Sequence, residues 1–416
     1  MKDFVIRQGE EITFAINIKE SETIYEFDGV SKIIFDNMDK DWKYISNILK
    51  DKYNNVSEKE MEDDYINFIN ELKLLRITSD NIENIIINIE NCDIKNASVE
   101  IINSCPFKCD HCYVSNKKQQ ININDYRKII DQLSSLNCVE LLITGGEPFL
   151  HPNFIEMYLY AKSKGILVSI NSNIFLLNDK ILNVICEYKP KVIEVSLYGF
   201  DNDSYFKFTH VKNAYSIINK NITSLINNNI NISLKSVLTK KSMDYIYILK
   251  KYADNYKIPF RYDYIIFPNQ DGLKDNPERC SPEEIVSVLK KDEDTVNFFR
   301  SKVKNIPTNI EDNCYIFQCS IGKDRIFISS NLDIRPCLVV PFKYNLSKYT
   351  IKEAYYKFKN ISKIYKNNKD NKCINCNKKS ICRYCPGKFY METGSFETIP
   401  DFYCDLANKI IKEFSL

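Results

Sequence analysis

The sequence predicts an α/β protein: a partial (β/α)6 barrel, with a small winged-helix-like module before it and a cysteine-rich domain after it. Three observations predict this. Strand-like and helix-like segments alternate six times between residues 98 and 290. Short apolar runs followed by three helical stretches fill residues 1–77. Eight of the 15 cysteines fall between residues 314 and 404.

In the central region, strand segments at 99–103, 139–144, 166–171, 192–198, 232–238 and 261–267 alternate with helical segments at 124–137, 153–164, 179–188, 213–228, 242–256 and 281–291. Such repeats imply a parallel sheet with helices on its outer face. Ligands of these folds gather at the carboxyl ends of the strands. The polar motifs lie there. The run Ser104-Cys105-Pro106-Phe107-Lys108-Cys109-Asp110-His111-Cys112-Tyr113 follows the first strand, and Thr144-Gly145-Gly146-Glu147-Pro148 follows the second. Asn171 and Asn173 end the third, Ser196 ends the fourth, and Lys235 lies on the fifth.

The C-x3-C-x2-C spacing offers three soft thiolates to one site within a short loop. A 4Fe–4S cube with one open iron fits it. So does a zinc site completed by another ligand such as His111, and so do three buried thiols. Paired glycines permit positive φ or close backbone approach, and the adjacent carboxylate can accept hydrogen bonds from an ammonium group. An ordinary strand-to-helix turn is the plain alternative.

Composition narrows the class. A chain of 416 residues holds two or three domains. Lys+Arg 57 against Asp+Glu 55 leaves +2, so no global field points to nucleic acid or an anionic membrane. No apolar run is long enough to span a bilayer, and the first residues form no secretion segment, which places the expected home in the cytoplasm. A disulfide framework is disfavoured, because 11 of the 15 cysteines sit in two groups with ligand-like spacing. Cys92, Cys138, Cys186 and Cys280 fit no spacing and read as small core or surface thiols.

The two motifs together, with His111 and Tyr113 flanking the third cysteine, resemble the radical S-adenosylmethionine (radical SAM) superfamily. The resemblance implies that Cys105, Cys109 and Cys112 form the catalytic centre by holding a 4Fe–4S cluster, whose open iron chelates SAM. Electron transfer would then yield a 5′-deoxyadenosyl radical that abstracts hydrogen from a substrate. It also implies that Gly145, Gly146, Glu147 and Pro148 hold the SAM amino group, with Tyr113 beside them. Asn171, Asn173 and Ser196 either bond the ribose and carboxylate of SAM or are plain polar caps of strand ends, and Lys235 either reaches the SAM carboxylate or the substrate or is solvated. One departure stands out: where the family often has Asn-Gly after the third strand, this chain has Asn173-Ile174.

Beyond residue 313, the pairs Cys373/Cys376 and Cys382/Cys385 would suit zinc ribbons. Beside a radical SAM core, the whole series resembles a SPASM domain, here residues 314–416. That resemblance implies one or two auxiliary 4Fe–4S clusters, two being the expectation. Cys319, Cys337 and Cys385 would hold one, with Cys314 as candidate fourth ligand, and Cys373, Cys376, Cys382 and Cys404 the other. Two departures are the x2 gap between Cys382 and Cys385, in place of x3, and Leu332 where a glycine is expected. Residues 291–313 are charged, lack periodicity and read as a bridge; residues 78–97 read as a linker.

In residues 1–77, strand-like runs at Asp3–Gln8, Ile12–Asn17 and Glu22–Phe27 precede helices at 30–38, 40–53 and 58–74. Ser57 and Glu60 form a capping box at the third helix. Its acidic residues Glu58, Glu60, Glu62, Asp63 and Asp64 argue against a phosphate-facing DNA reader. With Tyr25–Val30, Ile33–Phe35 and Glu71–Ile77, the segment resembles a RiPP recognition element, which implies that a leader peptide adds as a strand between residues 22–27 and 61–72.

Together the resemblances imply a radical SAM peptide maturase that installs a thioether between a cysteine sulfur and a carbon, as sactipeptide and ranthipeptide synthases do. Carbon–carbon crosslinking, epimerisation and Ser/Cys oxidation are the other outcomes in this class. An iron–sulfur DNA-binding regulator is a further alternative, against which the GGEP motif argues. The expected partners are a precursor peptide, bound through its leader, and a reducing donor such as flavodoxin or ferredoxin, with no nucleic acid and no membrane.

Overall fold

The computed structural model describes residues 2–20, 23–78, 80–90, 92–114, 118–266, 268, 276–307, 315–366 and 371–415. The first strands and helices are β1 (Phe4–Gln8), β2 (Ile12–Asn17), β3 (Ile24–Asp28), α1 (Gly29–Asp36), α2 (Trp42–Lys52) and α3 (Glu58–Leu74). The expected capping box starts α3, with Glu60 N donating to Ser57 Oγ at 3.3 Å and Ser57 N to Glu60 Oε2 at 3.1 Å.

A fourth strand, β4 (Ile82–Asn88), lies in the segment expected to be a linker. It pairs parallel to β1, so the sheet order is β3-β2-β1-β4. Its isoleucines favour a pleated surface. Ile82 joins the module's own core, while Ile87 packs on the main one.

The central sheet consists of β5 (Asn96–Ile102), β6 (Glu140–Gly145), β7 (Leu167–Ser172), β8 (Ile193–Ser196), β9 (Ile232–Val237) and β10 (Phe260–Asp263), all parallel. Helices α4 (Ile123–Ser135), α5 (Phe154–Ser163), α6 (Asp179–Glu187), α7 (Asn202–Thr209), α8 (Ala214–Asn227), α9 (Ile246–Asn255) and α10 (Pro282–Leu289) follow along it. The expected segments recur within a few residues, and α7 is added after β8. The sheet does not close. Beyond β5 it continues through β11 (Arg325–Ile328), β12 (Asp333–Arg335) and β13 (Tyr344–Asn345), in the order β10-β9-β8-β7-β6-β5-β11-β12-β13. The cysteine-rich region is therefore sewn onto the barrel's first strand, because β11 pairs parallel to β5.

The bridge expected at 291–313 carries a helix, α11 (Glu293–Lys304). Asp292 caps it by accepting from Thr295 N at 3.0 Å. Its apolar stripe is only Val296, Phe299 and Val303 among charged residues, too thin to register as a period. Helices α12 (Ile351–Phe358), α13 (Ile361–Ile364), α14 (Lys379–Cys382), α15 (Pro386–Thr393) and α16 (Asp401–Phe414) complete the chain. Phe299 of α11 packs against Phe414 of α16 with ring centroids 5.4 Å apart. Among the described residues, no helix is long and apolar enough to cross a membrane.

The central strands β1 and β2 of the N-terminal sheet are buried on both faces. Phe4 and Ile6 of β1 face the module's helices, whereas Val5 joins the main core. Arg7 is fully buried and reaches the base of the barrel, donating to Cys138 O at 2.6 Å, Ser134 O at 2.7 Å and Gly165 O at 3.4 Å. Those carbonyls lie just beyond or within the last turns of α4 and α5, where helix dipoles concentrate negative potential. A cation can therefore be buried there without a carboxylate, although burial lowers its pKa to about 10. Lys162 follows the same logic, donating to Lys189 O at 2.8 Å. Gly165 has φ +64, and a Cβ there would meet Val5 at 3.1 Å. The module thus sits on the amino-terminal ends of the strands.

Candidate active site

At the opposite, carboxyl ends of the strands lies a cleft of about 560 Å³, a size usual for a small-molecule site. Cys105, Cys109, Cys112, Tyr113, Gly145, Gly146, Asn171, Asn173, Ser196 and Lys235 all line it. Glu147 and Pro148 do not: both are buried behind the wall.

The cysteine loop is held at several points. Lys108 N donates to Thr209 O at 3.0 Å. Asp110 pairs with His210 at 3.0 Å and with Lys241. Partial burial pushes the Asp110 carboxyl up, but these two partners outweigh it and hold its pKa below the ordinary value. Helix α7 supplies Thr209 and precedes His210. His111, the alternative metal ligand, lies edge-on to Tyr198 at 5.0 Å and against Phe208 at 5.0 Å. Burial drives its imidazole down to about 4, so the ring is neutral; it also lines the cleft, and its buried Nδ1 has no hydrogen-bond partner among the described residues.

Burial also pushes the Cys105 thiol up to about 12 and the Cys109 thiol well above its ordinary value, and neighbouring thiols add to both shifts. Crowded thiols of this kind become thiolates only with a cation to balance them, which is the donor chemistry of a soft metal centre. Among the described residues, no three His, Cys, Asp or Glu side chains converge on a single metal ion. A four-iron cube takes each thiolate on a different iron, so its ligands need no common point. Asn171 lines the cleft, and its buried Oδ1 has no hydrogen-bond partner among the described residues, an acceptor suited to an ammonium or hydroxyl donor.

The glycine pair serves close backbone approach and makes no use of positive φ. Neither Gly145 nor Gly146 has positive φ. A Cβ at Gly145 would stand 2.1 Å from Ile102 O, and one at Gly146 2.3 Å from Ser104 O. Gly146 N donates to Ile102 O at 2.7 Å and Glu147 N to Ser104 O at 2.9 Å. The turn is pressed against the backbone that leads into Cys105. The Glu147 carboxylate is already engaged: Oε1 accepts from Phe149 N at 3.0 Å and Ser172 Oγ at 2.7 Å, and Oε2 from Asn173 N at 2.8 Å. Burial pushes it up to about 7 while these donors pull it down. It ties the end of β6 to the end of β7.

Asn173 Nδ2 lies 3.5 Å from Cys105 Sγ. The Ser196 carbonyl accepts from Tyr205 at 3.0 Å. Lys235 pairs with Glu194 at 3.4 Å, and burial lowers its pKa to about 8 despite that partner. Arg261 joins the same carboxylate at 3.0 and 2.9 Å. Tyr198, Arg261 and Asp263 line the cleft but were not singled out, since nothing in their local sequence distinguishes them.

The C-terminal thiols fall into two neighbourhoods. Burial raises Cys337, and Cys385 and Cys319 add to the shift. Burial raises Cys382 to about 12, with Cys373, Cys376 and Cys404 adding. Cys314 lies outside the described residues. Arg383, between the two groups in sequence, pairs with Asp263 of the cleft wall at 3.6 Å. Leu332 adopts φ +67, which explains why a glycine is expected there.

Residues 99–246 match the model of the Radical SAM superfamily. The antilisterial bacteriocin subtilosin biosynthesis protein AlbA of Bacillus subtilis is 24% identical over 264 residues, covering 60% of this chain and 56% of AlbA. Fe-coproporphyrin III synthase of Methanosarcina barkeri is 25% identical over 159 residues, covering 37% and 40%. The chain spans about half the length of these curated relatives. Among solved structures, Streptococcus suis SuiB bound to precursor peptide SuiA superposes with a TM-score of 0.63 at 17% identity, covering 97% of this chain and 99% of that one. The anSMEcpe structure with bound AdoMet gives 0.59 at 16% identity, covering 77% and 96%. With the thiol loop, the glycine wall and the open parallel sheet in place, residues 99–246 are a radical SAM domain, a type of domain that uses a 4Fe–4S cluster and SAM.

Proposed function

We propose that this chain modifies a ribosomally made precursor peptide by radical chemistry, joining a cysteine sulfur to a carbon in a thioether. The observation that carries the reading is the cleft itself. Three clustered thiols and an unpaired Asn171 acceptor line it together, and Arg383 of the C-terminal cysteine region pairs with Asp263 of its lining. Cys105, Cys109 and Cys112 would hold the cluster, and the cluster with SAM would supply the 5′-deoxyadenosyl radical that removes hydrogen. The chain's own residues would position and shield: the glycine wall and Asn171 would face the cofactor, and Lys235 and Arg261, both paired with Glu194, line the same cleft. Cys319, Cys337 and Cys385, and Cys373, Cys376, Cys382 and Cys404, would hold auxiliary clusters. AlbA is named for biosynthesis of a bacteriocin, and SuiB is seen with a precursor peptide; both support the peptide reading. Keeping so many thiols reduced favours a cytoplasmic setting with flavodoxin or ferredoxin as donor.

In the N-terminal module, β3 is one of the two edge strands of its sheet, and Phe27 of β3 meets Phe68 of α3 at 5.7 Å. A leader peptide would add along this edge beside α3. Cys105→Ala, Cys109→Ala and Cys112→Ala are each expected to abolish 5′-deoxyadenosine formation while leaving leader binding intact. Continued formation in any of them would defeat the assignment. A thioether shows as loss of two hydrogens, with fragmentation blocked between the joined residues. For the leader site, proline is placed in turn at Tyr25 and Glu26. On an antiparallel edge strand, one of two neighbours directs its N–H outward. That variant is expected to lose peptide affinity at least tenfold with the module still folded; equal affinity in both variants would move the peptide elsewhere.

A further inference from the structure

We propose that Asn173 is a positioning residue for the iron–sulfur site: its side-chain amide hydrogen-bonds the Cys105 sulfur and raises the reduction potential of the cluster bound there. The inference rests on the reading that Cys105 ligates that cluster. The amide's orientation is determined by its surroundings. Asn173 Oδ1 accepts from Phe175 N at 2.9 Å, so the NH2 end must face the sulfur, 3.5 Å away. Its backbone is pinned as well, since Asn173 N donates to Glu147 Oε2 at 2.8 Å. The glutamate of the glycine turn thereby holds the residue that holds the cysteine.

The next residue shows how firmly this bend is kept. Ile174 is fully buried and has φ +52, a region hostile to β-branched side chains. Such strain persists only where the surroundings over-determine it. Here Ile174 N donates to Ser172 Oγ at 2.8 Å, and Asn221 Nδ2 donates to Ile174 O at 2.8 Å. The glycine that the family often carries here would adopt this conformation freely, so the bend is kept in this chain despite its strain.

Cys105 Sγ also accepts from Phe107 N at 3.4 Å. Donors to a ligating sulfur stabilise the reduced, more negative cluster more than the oxidised one, and so raise its potential. Asn173 Oδ1 is engaged by Phe175 N and one of its two amide hydrogens faces the sulfur, which leaves the other for the cleft that Asn173 lines.

The test uses the full chain, reconstituted anaerobically, and an EPR-monitored redox titration. The relevant cluster is recognised by the change in its signal when SAM is added. Asn173→Ala is expected to shift its midpoint to lower potential, leaving the other clusters and the affinity for SAM within twofold of the parent. Asn173→Asp keeps the shape and the acceptor for Phe175 N, and guards against misfolding of the alanine variant. It is expected to lower the midpoint further, because a carboxylate repels the added electron. An unchanged midpoint in Asn173→Asp, or a large loss of SAM affinity without a potential shift, overturns the inference. If the parent chain assembles no SAM-responsive cluster, the functional reading itself falls and takes this inference with it.

Discussion

Gly146→Ala is expected to yield a folded protein that lacks the cluster of the cysteine loop and forms no 5′-deoxyadenosine. An added Cβ would lie 2.3 Å from Ser104 O, 2.5 Å from Ser104 C and 2.7 Å from Asn103 O. All three are backbone atoms one or two residues before Cys105, so no side-chain rotation relieves the collision. The strand end must move, and the first thiol moves with it. Iron should fall by one cluster while the C-terminal sites stay loaded. Gly394→Ala is the matched control: Gly394 has φ +77 and nothing within 4 Å of an added Cβ. It should cost only the left-handed penalty of roughly 1–2 kcal/mol and keep its full iron and its activity. A fully loaded, active Gly146→Ala protein would show that the turn does not set the loop.

The second large effect concerns stability. Arg7→Ala is expected to destabilise the chain by about 3–5 kcal/mol: ~1–3 kcal/mol for the Cys138 carbonyl left buried without its short bond, the remainder for the void left by the side chain. Chemical denaturation followed by far-ultraviolet circular dichroism measures it. Limited proteolysis should then open the chain near residues 89–95, between the module and β5, while SAM cleavage by the surviving barrel continues. A loss below about 1 kcal/mol, the level of an exposed contact, would mean that the module does not depend on this anchor.

Much of this was legible in sequence, for identifiable reasons. The alternating segments of the barrel carry the two periodicities directly, and strand ends in such a sheet collect ligands, so the cysteine loop and the glycine turn could be placed together. Pairwise facts set by distant residues were not legible. Glu147 reads locally as a ligand for an ammonium, but its partners Ser172 and Asn173 arrive from the next strand. Asn173 reads as a polar cap, and only the fold brings it to Cys105. The departures at Ile174 and Leu332 looked like weakened motifs; both keep the backbone that glycine would favour. Helix α11 escaped notice because Val296, Phe299 and Val303 form a stripe of three amid charges, and β4 because its run follows a helix with no barrel motif beside it.

The anchoring of β1 by Arg7 has a consequence for distance. The N-terminal sheet lies under the barrel and the thiols lie above it, separated by the height of its strands. β6 has six residues, which at about 3.3 Å each is roughly 20 Å. Any chain gripped at the β3 edge and altered among the thiols must travel at least that far around the flank. A precursor would need a tether of at least about six extended residues between grip and target, so that short substrates are refused by reach alone.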